Sequence, residues 1–232
     1  GCRPKAIRID SGDIAYLSRK ARKMLDEAGW TECTITVSNS LDEYLIQDLW
    51  MQDAKIDAFG VGERLITAKS EPVFGCVYKL VAVEDKDGNI VPKIKISENV
   101  GKITTPHFKK LYRFYGRDTG KAIADYLTVY DETVDDSQNL EIFDPDATWK
   151  RKEVYHFEAR ELLVPIYQKG KLVYKRPDIE EIKKYCAEQV DTLWDEVKRF
   201  DNPHNYYVDL SQKLYDIKTE LLNEKNERYE KN

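Results

Sequence analysis

The chain lacks any apolar stretch approaching the length of a membrane-spanning helix, so a membrane partner is not expected. It has four cysteines, Cys2, Cys33, Cys76 and Cys186, spread far apart with no CxxC pair. That spacing argues against a disulfide framework and a thiolate metal site, and we read free thiols in a reducing, cytoplasmic compartment. Its three histidines, His107, His156 and His204, form neither HxxxH nor HExxH, so no metal site is predicted. Excess positive charge is missing too. The net charge of −5 argues against nucleic acid as the main partner. No low-complexity tract and no signal peptide is legible. The chain opens on Gly1 and a strand begins within a few residues, which we read as a fragment whose absent neighbours cover that strand's edge.

What is present is a globular composition. Of 232 residues, 41% are hydrophobic and 34% charged, enough for one large domain or two small ones. Residues 5–9 read as a strand, and Asp13–Ala28 as a helix with Ile14, Leu17, Ala21, Met24, Leu25 and Ala28 on one face. Gly29 suits its C-terminal stop. Residues 33–37 form a β-branched second strand, followed by a capping box with Ser40 as N-cap and Glu43 at its third position. That helix runs to about Asp53, and Ile56–Phe59 is the third strand. A βαβαβ run makes the sheet parallel. Three strands do not close a barrel, though they can be the end of one.

After Pro72 the pattern changes. Gly75–Glu84, Val91–Ser97, Phe108–Tyr115 and Ala122–Tyr130 are strand-like, with turns at Asp87-Gly88-Asn89 and Asp118-Thr119-Gly120. Asp131–Asn139 reads as a charged loop, and Leu162–Val164 with Lys171–Tyr174 as a hairpin around Gly170. From Asp178 onward the reading is helical: Asp178–Phe200, then about Tyr207–Tyr229, separated by Asn202-Pro203. Trp30, Trp50, Trp149 and Trp194 are expected in the core or at its rim, Lys150-Arg151-Lys152 as a solvated run, and Tyr206-Tyr207 packing the terminal helices.

Three strand tips carry candidate chemistry. In Arg8-Ile9-Asp10-Ser11-Gly12-Asp13, residues i and i+2 share a strand face, which puts Arg8 and Asp10 together. An arginine binds a carboxylate or phosphate through paired hydrogen bonds, and the aspartate beside it can hold ribose hydroxyls or a Mg²⁺-bound phosphate. The same residues also suit a plain strand-to-helix turn, with Asp10 or Ser11 as cap and Gly12 for backbone freedom. Ser38-Asn39 ends the second strand, where Asn39 can bond a sugar hydroxyl or its own turn. Gly60-Val61-Gly62-Glu63-Arg64 ends the third, where glycines let backbone N–H groups approach a phosphate.

Assembled in this order, these stretches resemble the nicotinate phosphoribosyltransferases, of the type II phosphoribosyltransferase group. The matching segments are Arg8–Asp13, Val37–Glu43, Phe59–Gly62 and Gly75–Val81. The resemblance implies an α/β fold: residues 1–72 as the C-terminal βα units of an α/β (TIM-like) barrel, 73–148 as a β-rich segment packing on an absent N-terminal domain, and 149–232 as a mainly helical C-terminal extension. It implies ATP-assisted condensation of nicotinate with phosphoribosyl pyrophosphate and Mg²⁺, in a cytoplasmic homodimer, with this fragment alone inactive.

By the same resemblance, Arg8 lies beside nicotinate and its carboxylate, and Asp10 serves catalysis at the ribose and pyrophosphate. Ser11, Gly12, Ser38 and Asn39 bind substrate, and the backbone at Gly60, Gly62 and Glu63 holds the 5′-phosphate. Glu63 and Arg64 stand where many relatives have small or hydroxyl residues, which limits the carry-over at Glu63 to its backbone. The histidine that ATP phosphorylates belongs to the absent half and is none of His107, His156 and His204. A sister transferase using nicotinamide or quinolinate, a non-catalytic nucleotide-binding homologue and an unrelated doubly wound nucleotide-binding module remain open alternatives.

Overall fold

The computed structural model describes residues 3–229, so Gly1 and Cys2 lie outside the described residues. The chain divides into two compact units, Gly1–Val77 and Tyr78–Asn232.

The first unit alternates strand and helix: β1 (Ala6–Ile9), α1 (Ile14–Glu27), β2 (Thr34–Ser38), α2 (Glu43–Met51), β3 (Ala58–Gly60) and the single-turn α3 (Glu63–Ile66). The strands pair in parallel in the order β1-β2-β3, with Ile7 opposite Ile35, Val37 opposite Phe59 and Ser38 opposite Gly60. Side chains alternate across this sheet. Ile35 and Val37 are fully buried against Ile14, Ala15, Leu25, Leu41 and Leu49, and Ile7, Ile9 and Phe59 pack onto that core. Arg8, Thr36, Ser38, Ala58 and Gly60 fall on the other face. The sheet is open, and no closed barrel forms among the described residues.

Local chemistry explains the turns, with two corrections. Asp13, rather than Asp10 or Ser11, caps α1, its carboxylate accepting from the Tyr16 N–H at 2.9 Å. Gly12 precedes it at φ +80°, and a Cβ there would lie 3.0 Å from Leu17 Cδ1. At the other end, Gly29 (φ +72°) and Trp30 donate back to Asp26 and Leu25, closing the helix as a Schellman turn. The expected capping box at Ser40 and Glu43 is not formed. Asp42 caps α2 by accepting from the Leu45 N–H, and it also pairs with Arg64, a partner that local spacing does not reveal. The Leu45 N–H first, and Arg64 with it, hold the Asp42 carboxyl below its usual range against some loss of solvation.

The second unit is mainly antiparallel. It contains β4 (Ala82–Glu84), β5 (Ile90–Pro92), β6 (Lys109–Gly116), β7 (Ala122–Val129), β8 (Leu140–Phe143), β9 (Arg151–Val154), β10 (Phe157–Glu161), β11 (Tyr167–Gln168), β12 (Lys171–Leu172), α4 (Ile179–Asp191), β13 (Val208–Leu210) and α5 (Gln212–Tyr229). The central sheet runs β10-β6-β7-β13, in which β13 joins β7 in parallel. Phe114 and Phe157, both fully buried, pack with tilted rings 4.7 Å apart, with Tyr126 beside Phe114. On β6 and β7, Arg113 grips the Asp125 carboxylate through two bonds of 2.7 and 2.9 Å.

Several expectations change here. Residues 74–81 form no strand, although the Val81 carbonyl accepts from the Lys93 and His107 N–H groups, so the strand read over Gly75–Glu84 shortens to β4. Residues 149–232 are not mainly helical, because they contribute β9 to β13 as well as α4 and α5. Lys150-Arg151-Lys152 runs into β9, and the predicted helix from Asp178 stops at Asp191. Trp50 and Trp149 are largely exposed rather than core. Tyr206 and Tyr207 are bound to the sheet through Asp125, a partner that the helical reading of their segment does not foresee. Cys33 is buried while Cys76 and Cys186 are exposed, and all three are free thiols.

Two stability predictions arise. Gly12→Ala should cost about 1–3 kcal/mol in urea unfolding, through its positive φ and the Leu17 contact. Gly29→Ala, with φ +72° but open space around it, should cost less; an equal or larger loss at Gly29 would show that the Leu17 contact is not felt. Asp209 on β13 is 3% exposed. Burial first, and the Asp144 carboxylate next, raise its carboxyl from 3.8 to about 6, with Lys152 opposing. The folded state therefore holds this proton more tightly than the unfolded state, and ionisation destabilises the fold as pH rises through about 6. Asp209→Asn should stabilise the protein at neutral pH by about 1–2 kcal/mol, allowing for solvent screening. The gain should fade as pH falls from about 6 toward 3.8, and a gain independent of pH would contradict this account.

Candidate active site at the parallel strand ends

The parallel register aligns the carboxyl ends of β1, β2 and β3, which is where open α/β sheets place ligands. Arg8 and Asp10 leave β1 there, and Ser38 ends β2. These three side chains form a closed triangle. The Arg8 Nε donates to Ser38 Oγ at 2.9 Å, Arg8 Nη2 donates to Asp10 Oδ1 at 2.8 Å, and Ser38 Oγ donates to the same Asp10 oxygen at 2.7 Å. The Arg8 and Asp10 side chains are 62% and 54% exposed, so the ion pair is well hydrated and adds little to stability. It is correspondingly easy to redirect. The Arg8 Nη1 edge carries no bond among the described residues, so the guanidinium can take a carboxylate or phosphate without first releasing Asp10.

Next to this triangle, the β2 and β3 tips enclose a cavity of about 240 Å³. Asn39 and Ser40 bend its rim through consecutive left-handed backbone positions, φ 94° and 52°. Gly60 lies so close to β2 that a Cβ would meet Ser38 Cβ at 3.4 Å and the Val37 carbonyl oxygen at 3.6 Å. Gly62 then caps the short α3 with its backbone alone. Glu63, Arg64 and Lys69 complete the wall. Arg64 is committed to Asp42, whereas the Lys69 ammonium has no hydrogen-bond or ion-pair partner among the described residues.

Of the residues singled out from the sequence, the structure brings Arg8, Asp10 and Ser38 into direct contact. It sets Asn39, Gly60, Gly62 and Glu63 around the adjoining cavity. Ser11 and Gly12 belong to the turn between β1 and α1, where Gly12 has a conformational task and the Ser11 hydroxyl bonds nothing among the described residues. Lys69 has no signal in the sequence. It reaches the cavity because the chain reverses at Ala68 (φ 46°) after α3, and no motif announces that reversal. Among the described residues, no group of three His, Cys, Asp or Glu side chains is placed to hold a metal ion.

Comparison with known proteins gives a consistent result. Residues 108–218 match the family model for the nicotinate phosphoribosyltransferase C-terminal domain. The chain is 46% identical to a nicotinate phosphoribosyltransferase of Bacillus subtilis (strain 168), over 97% of this chain and 46% of that protein. It is 36% identical to nicotinate phosphoribosyltransferase 2 of Arabidopsis thaliana, over 94% of this chain and 40% of that protein. The fold is also that of the crystal structure of human nicotinic acid phosphoribosyltransferase, with a TM-score of 0.68 at 24% identity, covering 95% of this chain and 40% of the human one. The chain thus spans less than half the length of these relatives. With almost the whole of its length matched by one set of relatives, the chain belongs to the nicotinate phosphoribosyltransferase family.

Proposed function

We propose that this chain supplies part of the active site of a nicotinate phosphoribosyltransferase in NAD salvage. The observation that carries the proposal is the Arg8–Asp10–Ser38 triangle standing beside a glycine-rimmed, lysine-bearing cavity at three parallel strand ends. Nicotinate's ring nitrogen donates its electron pair to the anomeric carbon of phosphoribosyl pyrophosphate. The bond from that carbon to pyrophosphate oxygen breaks, and pyrophosphate leaves with the pair. No proton needs to move in this step. The work left to the protein is orientation and charge balance.

In this reading the free edge of Arg8 takes the nicotinate carboxylate. Asp10 faces the sugar, where it offsets the positive charge that develops as the leaving bond stretches. Ser38 orients both groups, and Ser38 with Asn39 reaches the ribose hydroxyls. The backbone at Gly60, Gly62 and Glu63 holds the 5′-phosphate, and Lys69 adds a positive charge at that end. Mg²⁺ enters with the pyrophosphate as part of the substrate, and Asp10 is the carboxylate suited to it. ATP hydrolysis drives the condensation. None of His107, His156 and His204 is assigned the phosphoryl-accepting role.

The barrel reading gains support from the uncovered face of β1–β3. A doubly wound sheet carries a second helix layer and needs apolar side chains on both faces. Here the second face presents Arg8, Thr36, Ser38, Ala58 and Gly60, small and polar residues suited to a substrate-lined barrel interior. A homodimer is proposed as well, in keeping with the exposure of Trp50, Met51, Ile66 and Phe74.

The test is turnover by the longest native form of the protein, given phosphoribosyl pyrophosphate, Mg²⁺ and ATP, with nicotinate, nicotinamide and quinolinate offered separately. Mononucleotide from nicotinate alone, with ADP release, is expected. Product from only one of the other two acceptors would reassign the substrate, and none from any would leave a binding module. Arg8→Ala should lower kcat/KM for nicotinate about 30- to 1000-fold, equivalent to about 2–4 kcal/mol. Lys69→Ala should raise the KM for phosphoribosyl pyrophosphate about tenfold, with a smaller effect on kcat. A near-silent Arg8→Ala would remove that residue from the mechanism.

A further inference from the structure

The second unit contains a cleft to which the proposed function assigns no role. Tyr207 forms a wall of three adjoining cavities. The first, about 530 Å³, is largely apolar and is lined by Tyr155, Trp194, Val197 and Tyr207 among others. The second, about 380 Å³, is polar, with Asp144, Lys150, Asn205 and Asp209 in its wall. The third, about 90 Å³, brings Asp144 and Asp209 to the same hollow as Lys152, which also lines the first.

Asp209 makes this more than a surface recess. It is 3% exposed, yet its carboxylate has no hydrogen-bond or ion-pair partner among the described residues. Its oxygens are not sealed in, since among the described residues the fully buried side-chain polar atom without a partner is Thr128 Oγ1; a carboxylate with so little solvent and no protein donor keeps acceptor capacity for a ligand. Strand alternation supplies the orientation. Leu210 packs with Val129 and Leu214, and Asp209, its neighbour on β13, lines the cavities with Ile142 and Phe143 of β8. Asp144 is engaged by Lys150 at 3.5 Å, whereas Lys152 has no ion-pair partner among the described residues.

The wall is built rigidly. Arg113 fixes Asp125 with two bonds; Asp125 in turn accepts from the Tyr206 hydroxyl at 3.0 Å, and its N–H donates to the Tyr207 carbonyl at 2.9 Å. The aromatic segment is therefore held to the sheet before any ligand arrives, which lowers the cost of binding.

Three chemistries meet in this cleft: flat apolar walls, a buried carboxylate with spare acceptor capacity, and an uncommitted ammonium. A simple cation would answer Asp209 but would meet Lys150, Arg151 and Lys152. A sugar phosphate would answer Asp209 and Lys152 but leave the aromatic cavity empty. We propose that the cleft between β8, β9, β13 and residues 194–207 binds a ribonucleotide. Its base lies in the aromatic cavity, its ribose hydroxyls donate to Asp209, and its phosphate meets Lys152. The site belongs to the second unit alone and does not depend on the transferase reading.

Calorimetric titration of the 232-residue chain with AMP tests this. Saturable binding is expected, with 2′-deoxy-AMP and ribose 5-phosphate each about tenfold or more weaker. Asp209→Asn keeps the shape of the side chain, and Lys152→Ala alters an exposed position on β9. Each should weaken AMP about tenfold or more while circular dichroism shows an unchanged fold. Absence of saturable binding at millimolar AMP would overturn the proposal, as would wild-type affinity in both variants. Loss of AMP binding on Lys69→Ala, with Asp209→Asn unaffected, would place the nucleotide in the first unit and overturn it equally.

Discussion

Parallel pairing of β1, β2 and β3 is the constraint on which the candidate active site depends. Its register puts Ile35 and Val37 into the core and, by alternation, turns Arg8, Thr36 and Ser38 to the opposite face. A slip of one residue on β2 would exchange those sets, burying hydroxyls under α1 and α2 and exposing the apolar pair. The register that satisfies the core is thus the same one that lets Arg8 reach Ser38 and sets Gly60 beside it. The geometry of the candidate site and hydrophobic burial are linked through a single alternation, so the site needs no separate device to align three loops distant in sequence.

The second unit solves a different problem. Its sheet takes in a last strand, β13, that arrives late in the chain and pairs in parallel with β7. The Arg113–Asp125–Tyr206 network ties down the segment leading into it. Burial and the Asp125 charge push the Tyr206 hydroxyl well above its ordinary range, so it remains a donor throughout physiological pH. Asp209 enters with that strand as the one acidic residue of β13, and its burial is the cost of placing a carboxylate at the floor of a cleft.

Legibility in the sequence followed the range of the interactions. α1 was readable because its cap, its apolar face and Gly29 all act within one or two turns. The β1 and β2 tips were readable because a β-branched run ending in polar residues is a local signal. The capping box at Ser40 failed because Asp42 does two tasks at once, and its second partner, Arg64, lies 22 residues further on. The helical reading over Tyr207–Tyr229 misses β13 because its three residues become a strand only when β7 offers an edge. Lys69 leaves no local signal for a related reason: the chain reversal at Ala68 returns it to a cavity that no spacing describes.

The sequence by itself determined the βαβαβ order of the first unit, the three strand tips with their residues, and the resemblance to a family, since each rests on periodicity, turn chemistry or ordered motifs along the chain. Tertiary structure alone decided that Arg8, Asp10 and Ser38 share hydrogen bonds, that Arg64 is bound to Asp42, and that among the described residues neither Lys69 nor the largely buried Asp209 has a hydrogen-bond or ion-pair partner. Those facts depend on distances between residues far apart in the chain. Such distances are set by packing and sheet register, and neither is written in the local pattern.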